Sequence, residues 1–263
     1  MGRKLFLLSS VFFMLVAGGF GAKAQQVAND ANPLYRPTVI QLHTISVPPI
    51  NGLPFSATAV IENRQTLPDG TTAESRNINL IGRDSRGRTH GEMRARVPMS
   101  SQETPHLAEV SLYDPQTGIR TVCNTDTHIA VRTHTSMPRM IGNDAGANIP
   151  GVTVDDLGAS TIDHIDVRGT RRSVVIPAAS NSTGAAITVV DEYCYSEDLH
   201  INIVLVHNDP RTGEQRVTLT NLQREDPDPA FLEVPEGYKI IDMTPPPGAP
   251  ALQRVTPGPA ISR

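Results

Sequence analysis

The sequence predicts a mostly β protein: a curved antiparallel meander of about eleven strands, a half-barrel with little helix. Three observations predict it. Short runs with period-2 alternation recur through residues 55–222, as half-buried strands require. Turn clusters built on Asp, Pro and Gly separate those runs at hairpin spacing. Helical periodicity is scarce: the best candidate is a turn or two at residues 228–232, where Asp228 can cap and Pro229 can sit first.

The chain begins with a targeting pattern. Arg3 and Lys4 form a basic start, and residues 5–16 form an apolar run interrupted only by Ser9 and Ser10. Ala22-Lys23-Ala24 supplies the small-x-small sequence read by signal peptidase, so residues 1–24 are expected to be a signal peptide cleaved after Ala24. The apolar run is shorter than the ~20 residues needed to span a bilayer. This predicts a periplasmic or secreted location with no later membrane span. Cleavage takes Arg3, Lys4 and Lys23 from the 23 basic residues and none from the 27 acidic ones. The remainder is therefore more acidic than the whole chain, whose net charge is −4. Nucleic-acid binding leaves a basic footprint, which is absent here. There is no Trp, and four of the six Phe leave with the signal, so stacking on sugars or bases has few platforms.

Residues 25–54 are polar and dotted with Pro, an irregular lead-in in which residues 38–47 are the extended part. Residues 55–243 are the β domain. In its first strand Phe55, Ala57, Ala59 and Ile61 share one parity, although Val60 breaks the opposite one. Pro68-Asp69-Gly70 closes a hairpin onto residues 71–82, Asp84-Ser85-Arg86-Gly87 turns the chain again, and residues 89–97 follow. Residues 107–113 and 119–124 are joined by Asp114-Pro115-Gln116-Thr117-Gly118, and residues 129–133 come next. The same grammar returns late, where Asp209-Pro210-Arg211-Thr212-Gly213 joins residues 199–207 to 215–222. Leu199, Ile201, Ile203 and Leu205 make that first partner the clearest core strand. Each of the two Asp-Pro-x-Thr-Gly turns has one acid, too few for a calcium loop. Residues 135–153 lack periodicity and read as a lid or a disordered loop. Residues 244–263 are a Pro-rich disordered tail.

Few residues point to chemistry. Cys123 and Cys194 are the only cysteines; in an oxidising compartment they are expected to pair as a structural disulfide. The even spacing of His128 and His134 suits one face of a strand, whereas His200 and His207 point to opposite faces of theirs. No cluster of zinc-ligand spacing occurs, and no metal or cofactor is expected. Arg83, Arg86, Arg88, Arg94 and Arg96 crowd one stretch. Arg94 and Arg96 on one strand face would be either a solvated face or contacts for an anion or lipid headgroup. G-x-S-x-G, H-E-x-x-H, P-loop and G-x-G-x-x-G motifs are all absent, so no catalytic residue is assigned.

Three segments carry a resemblance: Gly82-Arg83-Asp84-Ser85-Arg86-Gly87-Arg88; Leu157-Gly158 with Thr161-Ile162 and Gly169-Thr170-Arg171; and Asn221-Leu222-Gln223-Arg224 through Pro227-Asp228-Pro229-Ala230-Phe231 to Val234-Pro235-Glu236-Gly237-Tyr238. Together they resemble a group of uncharacterised exported bacterial proteins. Over residues 55–240 the order of features is similar to the periplasmic lipoprotein-carrier (LolA/RseB-like) superfamily: a strand pair at 159–176, a Tyr-containing strand at 192–199, and a closing segment at 231–238. That resemblance implies a curved half-barrel able to hold acyl chains. The carriers open with an amphipathic helix, which residues 25–54 do not.

These readings predict a non-enzymatic exported binding protein, with an apolar or lipid-like ligand in a concave sheet. The alternative is an envelope interaction module without a small ligand, and a hydrolase using dispersed His and Asp residues ranks last. Phe231, one of two Phe beyond the signal, is expected to anchor the chain where it turns back onto the sheet.

Overall fold

The computed structural model describes residues 45–67, 69–135, 150–181 and 183–244. The expected signal peptide, most of the lead-in, the core of the 135–153 loop and the tail beyond Thr244 lie outside the described residues. The chain divides into two units, and the described part of the smaller one is the segment 177–186. This segment holds itself together locally. A 3-10 turn spans Ala178–Ser180, and the Asn181 side-chain amide donates to the carbonyls of Pro177 at 2.9 Å and Ala185 at 3.0 Å.

The larger unit is one open sheet. Its strands are β1 (Phe55–Thr66), β2 (Thr72–Arg83), β3 (Thr89–Arg94), β4 (Val97–Pro98), β5 (Leu107–Asp114), β6 (Ile119–Asn124), β7 (Ile129–His134), β8 (Val152–Ile162), β9 (Ile165–Ile176), β10 (Ile187–Ser196), β11 (Ile201–Asp209), β12 (Gly213–Gln223) and β13 (Lys239–Asp242). Across the sheet they run β13-β7-β6-β5-β3-β2-β1-β12-β11-β10-β9-β8, with β4 also beside β2. The mostly antiparallel architecture is as expected, but the strands number thirteen rather than about eleven. Two meanders, β1 to β7 and β8 to β12, are joined by antiparallel pairing of β1 with β12. One pairing is parallel, β13 on β7, and it makes β13 a sheet edge.

The turn chemistry works as its residues dictate. Gly70 at φ 82° lets the β1–β2 hairpin close, with the Leu67 N–H donating to Thr71 O at 2.8 Å. Gly213, at φ 97°, passes so close to β1 that a Cβ there would lie 2.1 Å from Arg64 O. Asp228 accepts the Ala230 N–H at 2.9 Å and starts a 3-10 turn, Pro229–Leu232, at the place where a short helix is expected.

The apolar surface is divided between the two faces of the sheet. Paired residues on neighbouring strands share a face. On one face Phe55, Ala57, Ala59, Ile61 and Ile81 meet Ile201, Ile203, Leu205, Val217 and Leu219, with Ile45 and Val47 of the lead-in packed among them. The Gly82–His90 pairing belongs to the other face, and from His90 that face continues through Leu112 and Thr121. Here Val110, Leu112, Cys123 and Ala130 form a second core, against which Leu107, Val234 and Tyr238 pack. Both faces of the sheet therefore bury apolar residues, and the buried face changes sides at the β2–β3 junction. There the ladder is short, pairing only Ile81–Arg83 with Thr89–Gly91. Beyond it side chains replace main-chain bonds: Glu92 accepts the Leu80 N–H at 3.1 Å and Asn79 accepts the Arg94 N–H at 2.9 Å.

Two expected placements also change. β3 ends at Arg94 after a bulge, so Arg94 and Arg96 do not share a strand face. His128 and His200 sit in left-handed turn positions, at φ 53° and 52°, and belong to no strand.

Candidate functional site

An open surface cavity of about 310 Å³ lies between the β1–β2 surface and the chain that follows β12, with Leu80, Asn221, Glu225, Asp226 and Asp228 exposed to solvent. Its floor is Ser56, Thr58 and Leu80, which the Ser56–Gly82 and Thr58–Leu80 pairings place on one face. Its wall is Asn221, residues 225–228 and Phe231. This segment leaves the strand at Gln223 because Pro227 and Pro229 lack the N–H that a ladder needs.

Three contacts hold the segment down. The Ser85 N–H donates to Asp226 Oδ1 at 2.6 Å. Phe231 stacks on His90 with ring centroids 3.7 Å apart and planes 22° apart. Gly82 makes room: a Cβ there would be 2.9 Å from Phe231 Cε1 and 2.8 Å from the Phe55 carbonyl oxygen. The anchor expected at Phe231 is present, but the ring is half-buried, and it packs on the face that carries His90. Leu232 beside it is buried.

The cavity is acidic. Glu225, Asp226 and Asp228 line it with two hydroxyls and an amide, and no basic residue does. The nearby cations are engaged elsewhere: Arg224 with Asp198 at 3.4 Å, and Arg86 and Arg88 with Asp84 at 3.6 Å and 2.7 Å. Arg88 and the backbone N–H groups of Arg86 and Arg88 hold the Asp84 carboxyl below the usual carboxylate range, although burial opposes them. Among the described residues no three His, Cys, Asp or Glu side chains converge to hold a metal ion.

The residues singled out from the sequence are dispersed by the fold. Arg94 is engaged by Glu92 at 2.9 Å and by the Pro105 carbonyl at 3.3 Å, while Arg96 is exposed. Cys123 and Cys194 are free thiols, so the expected disulfide is not formed. They lie on β6 and β10, separated in the sheet by six other strands, and they pack against different cores. A disulfide needs Cα atoms within ~7 Å. Burial, then Glu109 for Cys123 and Glu192 for Cys194, pushes both thiols up.

Two sites escaped the sequence reading. Arg83 is completely buried, and its guanidinium donates to the carbonyls of Leu53 at 2.8 Å, Pro48 at 2.7 Å and Leu199 at 2.8 Å. Burial brings it down to about 10, so it stays charged at neutral pH. It fastens the lead-in and the β10–β11 turn to β2. The second site is a transverse row. Arg172, Asp191 and His207 face one another across β9, β10 and β11. His207 Nδ1 lies 2.6 Å from Asp191 Oδ1, and Arg172 donates to Asp191 Oδ2 at 3.2 Å. Burial and the Asp191 charge push the neighbouring Tyr193 up to about 12. Only the register, which is not in the residue pattern, brings these groups together.

No protein-family model matches the sequence, and no curated protein matches it. Solved structures do. The MucA/MucB complex of Pseudomonas aeruginosa aligns at 11% identity over 68% of this chain and 55% of that chain, with a TM-score of 0.39. The chain thus spans about half the length of that protein. An uncharacterised conserved protein from Thermus thermophilus aligns at 10% identity over 73% of this chain and 91% of that one, with a TM-score of 0.38. A LolA superfamily protein from Nitrosomonas europaea aligns at 10% identity over 70% and 91%, with a TM-score of 0.28. The likeness to these proteins is one of sheet arrangement alone.

Proposed function

We propose that this is an exported, non-enzymatic binding protein of the cell envelope, and that its ligand site is the acidic cavity beneath residues 221–231. One observation carries the reading: three carboxylates without a cationic partner among the described residues, two of them (Asp226 and Asp228) also accepting backbone N–H groups, line a cavity together with Leu80, Phe231, Ala57, Pro227, Asn221 and two hydroxyls. Its volume, about 310 Å³, is at the lower end of the ~300–1,000 Å³ of ligand pockets. The fitting ligand class is an amine or guanidinium on a short apolar stem, free or as the side chain of a partner protein. The charge meets the carboxylates and the stem lies along Leu80 and Phe231. An acyl chain on the larger apolar face would have to displace protein, because Phe55, Ala59 and Val217 there have no exposed area.

The test uses agmatine as the probe and follows backbone amides by NMR. Saturable shifts at Ser56, Thr58, Leu80 and Asn221, weakened by salt and lost in Glu225→Gln, are the expected result. An equal response to butanol, or no response at millimolar agmatine, refutes the site. Export is checked separately: the secreted protein should begin at Gln25.

A second reading, an interaction module without a small ligand, is favoured by β13. All four of its residues are exposed, including Ile240 and Ile241. Cross-linking in cells, with and without residues 239–244, distinguishes a partner held there from a ligand held in the cavity.

A further inference from the structure

We infer that His90 makes the cavity wall an acid-released latch: its neutral ring holds Phe231 and the Pro229–Leu232 turn against the sheet, and protonation releases them. The inference rests on the cavity being the site, and it names how that site is regulated. Four observations carry it. His90 is 7% exposed, and neither Nδ1 nor Nε2 has a hydrogen-bond partner. The ring lies flat against Phe231 at 3.7 Å. Gly82 packs directly against Phe231, where a Cβ would lie 2.9 Å from Cε1. Phe231 itself lines the cavity, so the stack and the wall are one structure.

An unpartnered neutral imidazole can lie against an aromatic face, whereas an imidazolium carries two N–H donors and a charge that need water or acceptors. The face of Phe231 attracts a cation but accepts neither hydrogen bond in this stacked arrangement. The surroundings compensate only in part, through the Glu92 charge and the Phe231 backbone. On its own strand Glu92 shares its face, and its Oε2 is committed to the Leu80 N–H and to Arg94. From β2, Leu80 and Gly82 share the face, while Arg83 lies on the other. From β5, Leu112 is directly opposite, with Val110 and Asp114 flanking it on the same face. From the latch, Asp228 and Glu233 flank Phe231, and Asp228 is occupied as the cap. Burial accordingly holds His90 below the ordinary 6.5, with Glu92 and the Phe231 backbone opposing more weakly.

The sign follows from linkage. The unfolded or undocked ring binds a proton more readily than the docked one, so the latch is intact above about 6.5. It weakens as the pH falls from there through the docked value.

The experiment needs no ligand. The Phe231 N–H donates to Asp228 O at 2.9 Å and the Glu233 N–H to Ala230 O at 3.3 Å, so both amides report docking by hydrogen exchange. From pH 7.5 to 5.0 their protection factors should fall about tenfold while amides of β11 and β12 stay protected. In His90→Phe, which keeps a stacked ring and cannot titrate, the fall should vanish. In Phe231→Leu, the NMR midpoint of His90 should rise toward 6.5. An unchanged fall in His90→Phe, or a His90 midpoint at 6.5 in the wild type, overturns the latch. If His90→Phe does not fold, the Phe231→Leu midpoint decides. Agmatine titrated at both pH values separates the two ideas: a latch that opens without agmatine binding at either pH leaves this inference standing and removes the proposed ligand.

Discussion

Replacing Arg83 with Met should destabilise the protein by about 3 kcal/mol. Met keeps most of the volume and removes the guanidinium. Three carbonyls lose a donor, but Pro48 O keeps the Ile50 N–H at 3.0 Å. Two acceptors, Leu53 O and Leu199 O, are then left without that partner, at a cost of ~1–3 kcal/mol each. The lost contact of the guanidinium over the Phe55 ring, at 5.3 Å, adds about 0.5–1 kcal/mol. Relief from burying an unpaired charge offsets part of this, which brings the estimate to the lower end of the range. That is a large share of a typical ~5–15 kcal/mol and corresponds to a Tm lower by about 6–12 °C. Urea unfolding followed by far-UV circular dichroism measures it, since the chain has no Trp to serve as a fluorescence probe. Arg83→Lys should not rescue the loss, because one ammonium cannot reach carbonyls from three separate segments. A Met variant within about 1 kcal/mol of wild type would show that water or rearrangement satisfies the carbonyls, and the staple argument would fail.

Three further outcomes are expected. Phe231→Ala should cost about 2 kcal/mol, below the ~3–5 of a fully buried Phe because the ring is half-exposed; an unchanged Tm would show that it anchors nothing. Gly213→Ala should cost about 3 kcal/mol or more, since its Cβ would meet Arg64 O at 2.1 Å and φ is 97°; an unaltered urea midpoint would refute that close approach. Without reductant, Cys123 and Cys194 should both titrate as thiols in guanidinium and react slowly when native, whereas a mass lower by two hydrogen atoms would prove a bridge.

The hairpins were legible because their causes are local. Gly70, Gly87, Gly118 and Gly213 all adopt positive φ in turns marked by their own neighbours. The Asp228 cap and the buried run Leu199, Ile201, Ile203 and Leu205 were readable for the same reason. The ends of the sheet were harder. β8 begins at Val152, inside a stretch that reads as loop, because an edge strand needs no apolar alternation. β13 is four residues beside a Pro-rich tail, and its parallel partner is more than a hundred positions away in sequence. Of the candidate site, Phe231 alone was visible as an anchor. Its partners Gly82 and His90 carry no local mark, and neither the Asp191–His207 contact nor the distance between the cysteines can be read without the register.

The sequence by itself determined the β class, most of the turns, the targeting pattern and the absence of known catalytic motifs, all of which depend on residues within a few positions of one another. Only the tertiary structure decided which strands are neighbours, and through that which face each side chain occupies. Pairing β1 with β12 brought the two meanders together, and the short β2–β3 ladder allowed the buried face to change sides. Side chains alternate at every residue, so a face is a property of register, and register is set by contacts between distant segments. The same long-range closure gathered Ser56, Leu80, Glu225 and Phe231 around one cavity and stacked Phe231 on His90.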